Sequence, residues 1–454
     1  MSDIEKKKLE KKNLEKRDWA LTVLTRVLAD RRMLDEVLAS VPEDMRSWVH
    51  EVVAGTLRWK GRLDWLLDEL ALKKKPSGRL RKALLLGAYQ LLNQPQVPPA
   101  WIVSETVDGV RAKDGAPAAR FANALLRRIA DHAQSWRELS WPDPENEPKS
   151  QPERASQSSS QAAWASLPGW IWNRVVQDHG IDWARSFAVA SLNRPAFWVR
   201  SRRPLAHAVA GPISESWYIE NWKALRPEDL DRSAGSYVQD ISSQLLIHEF
   251  TQEAKKIFGE LGRPEILDLC AAPGGKSTGL AWNGWQVFAT DRQASTPQSQ
   301  QRFERLRETG VQVQRMLEQE RALGLPSLGN MHVLDRAALE NGRFYDAVWV
   351  DAPCTGSGLL RRHPEIRWIK DELTLASLQK EQTTLLQEAA SKVRPGGLLM
   401  FTVCSVLKVD ELEEVIRRAG LAGFSRVREW TIAPHLPPYG DGFSGVLFVK
   451  AISG

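Results

Sequence analysis

Cysteine is scarce in this sequence of 454 residues, and long apolar runs are missing from it. The three cysteines, Cys270, Cys354 and Cys404, are too few for a disulfide-stapled secreted scaffold, and no CxxC pair suggests a zinc or thioredoxin-type site. No run of about 18 uncharged apolar residues occurs, and the charged residues 1–17 lack the apolar segment of a secretory signal. We therefore expect a cytoplasmic protein with reduced thiols that binds no metal and contacts no membrane.

Charge of one sign is not in large excess either. Lys and Arg number 62 against 56 Asp and Glu, and the formal charge of +6 allows a polyanionic partner without requiring one. Apolar residues make up 43% and charged residues 26% of the chain, values that argue against a mostly disordered or fibrous protein. At about 150 residues per domain, the length indicates about three domains.

The hydrophobic pattern changes along the chain and divides it into segments. Between residues 18 and 135 apolar residues recur at helical spacing, as at Leu63, Leu66 and Leu70, which predicts an all-α domain. The following segment is rich in Pro, Ser, Gln and Glu, which is typical of a flexible linker. The predicted organisation is a charged N-terminal extension at 1–17, the helical domain at 18–135, the linker at 136–166, a small α/β subdomain at 167–236 and a larger α/β domain at 237–454.

Short β-rich runs alternate with helical stretches in the last part of the chain. This alternation predicts a mainly parallel sheet with helices on both faces. Ligands bind beyond the carboxyl ends of the strands in such sheets, so polar residues at those ends are candidates for a site. Five of the strand-like runs end in or next to such a residue, namely Asp268, Asp291, Asp335, Asp351 and Cys404.

A glycine turn follows the first of these runs. Residues 267–277 read LDLCAAPGGKS, which predicts a strand, a turn and a helix start whose N–H groups can face a ligand. The Walker pattern of nucleoside-triphosphate-binding loops requires a glycine where this chain has Cys270, so the sequence argues against a loop of this type. A nucleoside without a triphosphate remains, with Asp291 placed to bind its ribose hydroxyls. The alternative is a tight turn and a strand-capping acid without a ligand.

Two cysteines follow successive predicted strands. Cys354 belongs to the sequence DAPCTGSG at 351–358, where proline and glycines allow an exposed turn, and Cys404 ends the run FTVC. A lone cysteine is more often a small buried hydrophobic residue than a reactive group. Two of only three cysteines beside a nucleoside-type loop favour a reactive pair, whereas the side chain of Cys270 is assigned to packing.

A thiol beside an acid suits methylation of a pyrimidine at carbon 5. That carbon is a poor nucleophile until a thiolate adds to carbon 6, after which the ring can attack a methyl sulfonium. A carboxyl group that hydrogen-bonds or protonates ring nitrogen 3 stabilises the adduct, and this role suits Asp351. A cytosine in structured RNA would first have to leave its stack to reach such a pocket.

Residues 237–449 resemble the RNA 5-methylcytosine methyltransferases of the NOL/NOP/Sun family. The motifs that carry the resemblance stand in the family's order and are YVQD at 237–240, AAPGGK at 271–276, DAPCTGSG at 351–358, RRHPEIRW at 361–368, TVCS at 402–405 and DGF at 441–443. The resemblance implies a Rossmann-like class I methyltransferase domain that uses S-adenosyl-L-methionine.

The same resemblance implies roles for individual residues. Cys404 falls on the family's nucleophile, Cys354 on the cysteine that assists product release, and Lys276 on a lysine near the reacting base. The implied cofactor contacts are Cys270, Ala271, Ala272, Pro273, Gly274, Gly275, Lys276, Asp291, Asp335 and Asp351.

The helical domain resembles the NusB antitermination fold and ends in FANALLR at 121–127. Joined to this catalytic domain, it is similar to the Sun-type bacterial enzymes that methylate a cytosine of 16S ribosomal RNA. The combination implies that the helical domain and the 167–236 subdomain, which is expected to be RRM-like, bind RNA. It also implies that the protein is a monomer whose RNA partner is 16S rRNA or a small-subunit precursor. The alternatives are 5-methylcytosine formation on another RNA, such as tRNA, and a non-catalytic NusB-like RNA-binding or antitermination factor.

The chain departs from the family pattern around Cys404. The family usually has Pro-Glu-Glu-Asn soon after this cysteine, where this chain has Lys408-Val409-Asp410-Glu411, and Val403 replaces the preceding threonine.

Basic clusters at 73–82 and 200–203 are candidate phosphate contacts, although a solvated helix face is the alternative for the first. His363, within the arginine-rich motif, is a further candidate RNA contact.

Overall fold

The computed structural model describes residues 3–71, 74–138, 157–221, 223, 225–259, 263–292, 297–322, 329–339 and 342–452. Most of the predicted linker, and Lys73 of the first basic cluster, lie outside these residues. The chain forms two compact units. A helical unit comprises residues 1–194 and 360–372, and a sheet unit comprises residues 195–359 and 373–454.

The described residues contain fifteen α-helices and eleven strands. The helices are α1 (Asp3–Ala29), α2 (Leu34–Leu38), α3 (Glu43–Leu70), α4 (Gly78–Asn93), α5 (Pro99–Asp131), α6 (Ala133–Glu138), α7 (Gln157–Ala165), α8 (Gly169–His179), α9 (Ile181–Ser191), α10 (Ile241–Phe258), α11 (Gly275–Trp282), α12 (Pro297–Ala322), α13 (Ile366–Ile369), α14 (Glu372–Ser391) and α15 (Glu414–Ala419). The strands are β1 (Trp198–Ser201), β2 (Ala208–Ala210), β3 (Ser216–Ile219), β4 (Ser236–Val238), β5 (Glu265–Asp268), β6 (Gln286–Ala289), β7 (Asn330–Val333), β8 (Tyr345–Asp351), β9 (Val393–Val403), β10 (Phe424–Ile432) and β11 (Phe443–Lys450).

The helical unit is built from amphipathic helices around one hydrophobic core. Helix α3 shows the pattern, because Val49, Val53 and Leu57 recur at helical spacing and are all buried. Helices α1, α4 and α5 supply most of the remaining core. Trp48 and Trp65 are partly buried and pack against it. The predicted all-α NusB-like architecture is confirmed.

The structure places helix α7 within the segment that composition predicts to be a linker. Trp164 is buried and meets Trp65 of α3 edge to face, with ring centroids 5.6 Å apart. The Ser166 hydroxyl accepts a hydrogen bond from the Gly61 N–H at 2.8 Å. The segment is therefore polar on average but contains one short apolar stretch that packs on α3. Helices α8 and α9, which fall within the predicted small subdomain, also belong to the helical unit.

A segment from the second half of the sequence completes the helical unit. Within it, the carboxylate of Glu365 accepts a hydrogen bond from the Leu34 N–H at 3.2 Å, and both groups are buried. The fully buried guanidinium of Arg367 donates four hydrogen bonds of 3.0 to 3.2 Å to the carbonyl groups of Arg58, Ser166, Ser191 and Leu360. The last part of the arginine-rich motif is therefore a core element of this unit, and its Arg367 is not presented to RNA.

The sheet unit contains two sheets. The small sheet is antiparallel throughout, with the order β2-β3-β1-β4, and its four strands are the number found in an RRM sheet. The large sheet has the order β10-β11-β9-β8-β5-β6-β7. Strands β9, β8, β5, β6 and β7 run parallel, whereas β11 and β10 are added antiparallel at one edge. This mixed sheet confirms the predicted Rossmann-like fold.

The large sheet is buried on both faces because alternate side chains of its strands pack on different helices. Trp349 of β8 faces a core completed by α10, α11 and α12, whereas Val348 and Val350 face a core completed by α14 and α15. All three side chains are fully buried. The carboxyl ends of the parallel strands meet at one edge of this sheet, and the candidate residues of the sequence analysis follow those ends. None of the described helices combines the length and apolar character needed to cross a bilayer.

Candidate active site

The two candidate reactive thiols lie next to each other in the sheet unit. Cys354 follows β8 and Cys404 follows β9, and these strands are parallel neighbours in which Asp351 is paired with Thr402. The Sγ atoms of the two cysteines are 2.7 Å apart. The N–H of Gly358 also donates to the Cys404 carbonyl at 3.1 Å, which ties the two loops together. Strand order thus brings together two thiols separated by 50 residues.

The environment of Cys354 disfavours its thiolate form. The hydrogen bond with Cys404, reinforced by burial, raises the pKa of Cys354 well above its usual range. Cys354 therefore holds its proton at neutral pH and can act as an S–H donor towards its neighbour.

An ion pair lies beside the thiols. Lys276 donates to Oδ2 of Asp351 at 2.5 Å, and the ring of Phe443 lies 4.8 Å from the Lys276 Nζ. Burial alone would lower the pKa of Lys276, but the Asp351 carboxylate and, more weakly, Cys404 raise it, so the ammonium form is favoured. The influence of Cys404 on this pKa places thiol, ammonium and carboxylate in one electrostatic neighbourhood.

Thr402 orients the second oxygen of Asp351, a contact that the sequence analysis did not single out. The indole N–H of Trp349 donates to the Thr402 hydroxyl at 2.9 Å, and this hydroxyl donates to Oδ1 of Asp351 at 3.0 Å. Because an indole N–H can only donate, it directs the hydroxyl proton towards the carboxylate. Val403 stands where the family usually has a threonine, and the hydroxyl that contacts Asp351 belongs instead to the preceding Thr402.

The glycine turn after β5 is held by side chains from several elements. Gly274 has φ of 102°, and a Cβ there would lie 2.6 Å from the Thr309 side chain, so only glycine fits. Thr309 donates to the Pro273 carbonyl at 2.8 Å, and Gln239 donates to the Gly275 carbonyl at 2.9 Å. The turn is therefore rigid before any ligand binds.

Acidic side chains border this turn at the strand ends. Asp291 accepts a hydrogen bond from the Ala272 N–H at 2.8 Å, and Asp335 is exposed at the end of β7. Asp268 is buried, and its Oδ1 has no hydrogen-bond partner among the described residues, while its Oδ2 accepts from Ser277 at 2.6 Å. Burial raises the pKa of Asp268 to about 7. Cys270 packs its side chain against the sheet core, as expected.

These residues fit S-adenosylmethionine. The turn presents backbone at the start of α11, and the acids at the ends of β6 and β7 are placed to bind a ribose and the polar groups of a nucleoside. The unpartnered Oδ1 of buried Asp268 leaves one acceptor at the base of this turn. When bound here, the cofactor would bring a methyl sulfonium to the edge of the sheet where the thiols lie.

Motifs far apart in sequence close the site. The Asp240 carboxylate accepts from the N–H groups of Ser242 and Asp441, which joins the YVQD and DGF sequences. The Gly442 N–H donates to the Gly358 carbonyl at 2.9 Å. A Cβ on Gly358 would lie 2.0 Å from the Gly442 carbonyl oxygen, so this approach requires glycine.

The basic clusters are largely engaged within their own units. In the helical unit, Arg79 pairs with Asp114, and Arg81 pairs with Asp64 at 2.6 Å. In the sheet unit, two further arginines have internal contacts: Arg200 is buried near the Trp282 ring, and Arg202 pairs with Glu215 and Glu320. Four arginines of these clusters, Arg79, Arg81, Arg200 and Arg202, thus have acidic or aromatic neighbours that compete with phosphate. Among the residues that the structure describes, no group of His, Cys, Asp and Glu has the arrangement of a metal site.

A mixed Rossmann-like sheet, with a rigid glycine turn and strand-end acids beside a thiol pair, defines the class of the sheet unit as an S-adenosylmethionine-dependent methyltransferase. Two family models match the chain, the NusB family over residues 14–131 and "16S rRNA methyltransferase RsmB/F" over residues 261–427. The chain is thus an RNA methyltransferase whose catalytic segment matches the RsmB/F family and whose helical segment matches the NusB family.

Similar proteins match nearly the whole chain. Ribosomal RNA small subunit methyltransferase B of Serratia proteamaculans is 27% identical over 432 residues, which are 89% of this chain and 90% of that protein. The protein of the same name from Pectobacterium atrosepticum is 26% identical, with 96% of this chain and 98% of that protein covered. The crystal structure of PH0851 has a TM-score of 0.63 at 19% identity and covers 96% of this chain and 99% of that one, which shows a shared fold.

Proposed function

We propose that this protein transfers a methyl group from S-adenosylmethionine to carbon 5 of a cytosine in RNA through a covalent bond between Cys404 and carbon 6. The observation that carries the proposal is the pair of thiols 2.7 Å apart beside the Lys276–Asp351 ion pair. Methylation of an exocyclic amine needs no thiol, so the pair favours attack on a ring carbon.

In the first step, the Cys404 thiolate forms a bond from its Sγ to carbon 6, which makes carbon 5 nucleophilic. Ring nitrogen 3 takes up a proton or a hydrogen bond as the adduct forms. The hydrogen-bonded Lys276 and Asp351 are suited to supply it, because the ammonium carries the proton and the carboxylate relays it. Bound S-adenosylmethionine would supply the methyl group as a sulfonium: carbon 5 would form the new carbon–carbon bond, the methyl–sulfur bond would break, and its electron pair would leave with S-adenosylhomocysteine.

In the second step, carbon 5 loses its proton to water and the bond between carbon 6 and Cys404 breaks. The electron pair of the carbon–hydrogen bond forms the new ring double bond, and the electron pair of the carbon–sulfur bond leaves with the Cys404 sulfur. Cys354 keeps its proton because its pKa is raised, so its S–H can donate to the departing sulfur. This hydrogen bond favours release of the methylated product.

The substrate that we propose is 16S rRNA or a small-subunit precursor, methylated in the cytoplasm by a monomer. The two relatives are named for the small-subunit ribosomal RNA, and each is matched over at least nine-tenths of its length. The NusB-family domain, joined to the catalytic domain in one chain, supports an RNA partner. The three cysteines are free, which suits a reducing compartment.

The experiment that tests this function traps the covalent intermediate. Unmodified 16S rRNA and S-adenosylmethionine are mixed with the wild-type protein, Cys354→Ala and the Cys354→Ala/Cys404→Ala double variant, followed by denaturing electrophoresis. We expect an RNA–protein adduct in Cys354→Ala that disappears in the double variant, because Cys404 forms the bond and Cys354 assists its cleavage. Cys404→Ala alone should bind the cofactor and show no turnover.

Four results would contradict the proposal in different ways. Free release of methylated RNA by Cys354→Ala would remove its role in elimination, and turnover by Cys404→Ala would remove the covalent mechanism. An adduct with tRNA but not with 16S rRNA would keep the chemistry and change the substrate. Absence of cofactor binding in a titration would favour a non-catalytic RNA-binding factor.

A further inference from the structure

The loop that carries Cys354 is held on both sides by buried polar side chains. On one side, Gln382 of α14 donates from its amide to the Pro353 carbonyl at 2.7 Å. On the other side, Glu411 accepts from the Thr355 N–H at 2.7 Å and from the Thr355 hydroxyl at 2.5 Å. Glu411 and Gln382 are both fully buried, and a weaker contact of 3.3 Å joins them. The backbone of Cys354 is therefore fixed at the residue before it and at the residue after it.

Glu411 stands where the family pattern has asparagine. It belongs to a π-helical turn, Val409–Glu413, that precedes α15. An asparagine offers one acceptor oxygen on a shorter side chain, whereas Glu411 uses one oxygen for the Thr355 N–H and the other for the Thr355 hydroxyl. Burial of a carboxylate costs free energy unless hydrogen bonds compensate it, so a buried glutamate with both oxygens engaged points to a positional role.

Further hydrogen bonds connect the Cys354 loop with the loop that carries Cys404. Ser357 and Ser405 share a hydrogen bond of 2.8 Å, and Ser357 also accepts from the Val406 N–H at 3.0 Å. The hydrogen bond from the Gly358 N–H to the Cys404 carbonyl completes the connection. A displacement at Thr355 would consequently change the distance between the two thiols.

We propose that Glu411, together with Gln382, is a positioning residue that holds Cys354 against the Cys404 sulfur and thereby sets the rate of product release. This inference rests on the proposed function, because it assigns the residue a part in the elimination step. Attack by Cys404 and methyl transfer do not require the Cys354 thiol, whereas a hydrogen bond to the leaving sulfur depends steeply on distance. Misplacement of a catalytic group by about 1 Å can cost about 100-fold in rate.

The test separates methyl transfer from release in single-turnover reactions. Full-length variants are mixed with 16S rRNA and methyl-labelled S-adenosylmethionine, and both the label in RNA and the RNA–protein adduct are followed with time. For Glu411→Ala we expect a first-turnover methylation rate within about threefold of wild type and decay of the adduct slowed by tenfold or more. Glu411→Gln, which keeps an acceptor for the Thr355 N–H, should restore release to near the wild-type rate.

Two further variants make the comparison specific. Glu413→Ala removes a neighbouring acid on the same turn that pairs with Arg426 instead of the loop, and it should release product as wild type does. Gln382→Ala removes the contact to Pro353 and should slow release as Glu411→Ala does. If Glu411→Ala does not fold, as judged by circular dichroism, Gln382→Ala provides the comparison in its place.

The outcomes distinguish this inference from the proposed function. Adduct accumulation in Cys354→Ala together with wild-type adduct decay in Glu411→Ala and Gln382→Ala would overturn the positioning role alone. Equal losses of methylation and release in these variants would also overturn it, because a general structural role predicts them. In a Cys354→Ala background, Glu411→Ala should not slow release further, and an additional slowing would contradict action through Cys354. Absence of any adduct in Cys354→Ala would reject the proposed function itself.

Discussion

Replacement of Arg367 by methionine should destabilise the helical unit by at least about 4 kcal/mol. The side chain is fully buried, and its guanidinium binds four backbone carbonyl groups from separate parts of this unit. Methionine fills similar space but donates no hydrogen bond, so four buried carbonyl groups lose a partner. At about 1–3 kcal/mol for each unsatisfied buried group, the loss lies between about 4 and 12 kcal/mol. Burial lowers the pKa of Arg367 only to about 9, so the charged form is the one removed at neutral pH.

Urea unfolding followed by far-ultraviolet circular dichroism measures this loss, since the helical unit dominates the signal. Arg127→Met is the matched control, because Arg127 is exposed on α5 and contacts only Asn123 of its own helix among the hydrogen bonds described. We expect a change of at most about 0.5 kcal/mol for this control. Arg367→Lys should recover only part of the stability, because an ammonium cannot reach four carbonyl groups at once. A free energy of unfolding for Arg367→Met within about 1 kcal/mol of wild type would refute the reasoning.

Two other perturbations test the site. Burial raises the pKa of Asp268 from 3.8 to about 7, so the folded state holds a proton that the unfolded state has lost between these values. The free energy of unfolding of the wild type should therefore fall as pH rises from about 4 to 7, and this group contributes up to about 4 kcal/mol of the fall. Urea midpoints measured across this pH range should show the fall in the wild type, and Asp268→Asn should lack this component. Thr402→Val removes the hydroxyl between Trp349 and Asp351, and single-turnover methyl transfer should fall by about 10- to 100-fold. Thr402→Ser keeps the hydroxyl and should retain most of the rate; a fully active Thr402→Val would show that Asp351 needs no such partner.

The elements of the sheet unit were predictable where their residues are apolar on both faces. The strand-like run that ends at Asp351 corresponds to β8, because a buried parallel strand is apolar throughout. Strand β10 was not anticipated, since its exposed residues Arg426, Arg428 and Glu429 interrupt the apolar pattern at the edge of the sheet. Helix α7 was missed for the opposite reason, because a few apolar residues in a polar segment become a helix only when α3 covers them.

The sequence by itself determined the class of chemistry. Glycines, acids and two cysteines at the ends of successive apolar runs must meet at one edge of a parallel sheet, because parallel strands all end on the same side. The motifs therefore predict that the glycine turn, Asp351 and the two thiols lie close together.

Only the tertiary structure decided which side chains orient that chemistry. Thr402, Gln382 and Glu411 act through hydrogen bonds to residues 29 to 56 positions away, and Arg367 reaches a carbonyl 309 positions away. Such contacts leave no periodicity in the sequence, because hydrogen-bond partners are set by the packing of separate elements and not by spacing along one of them.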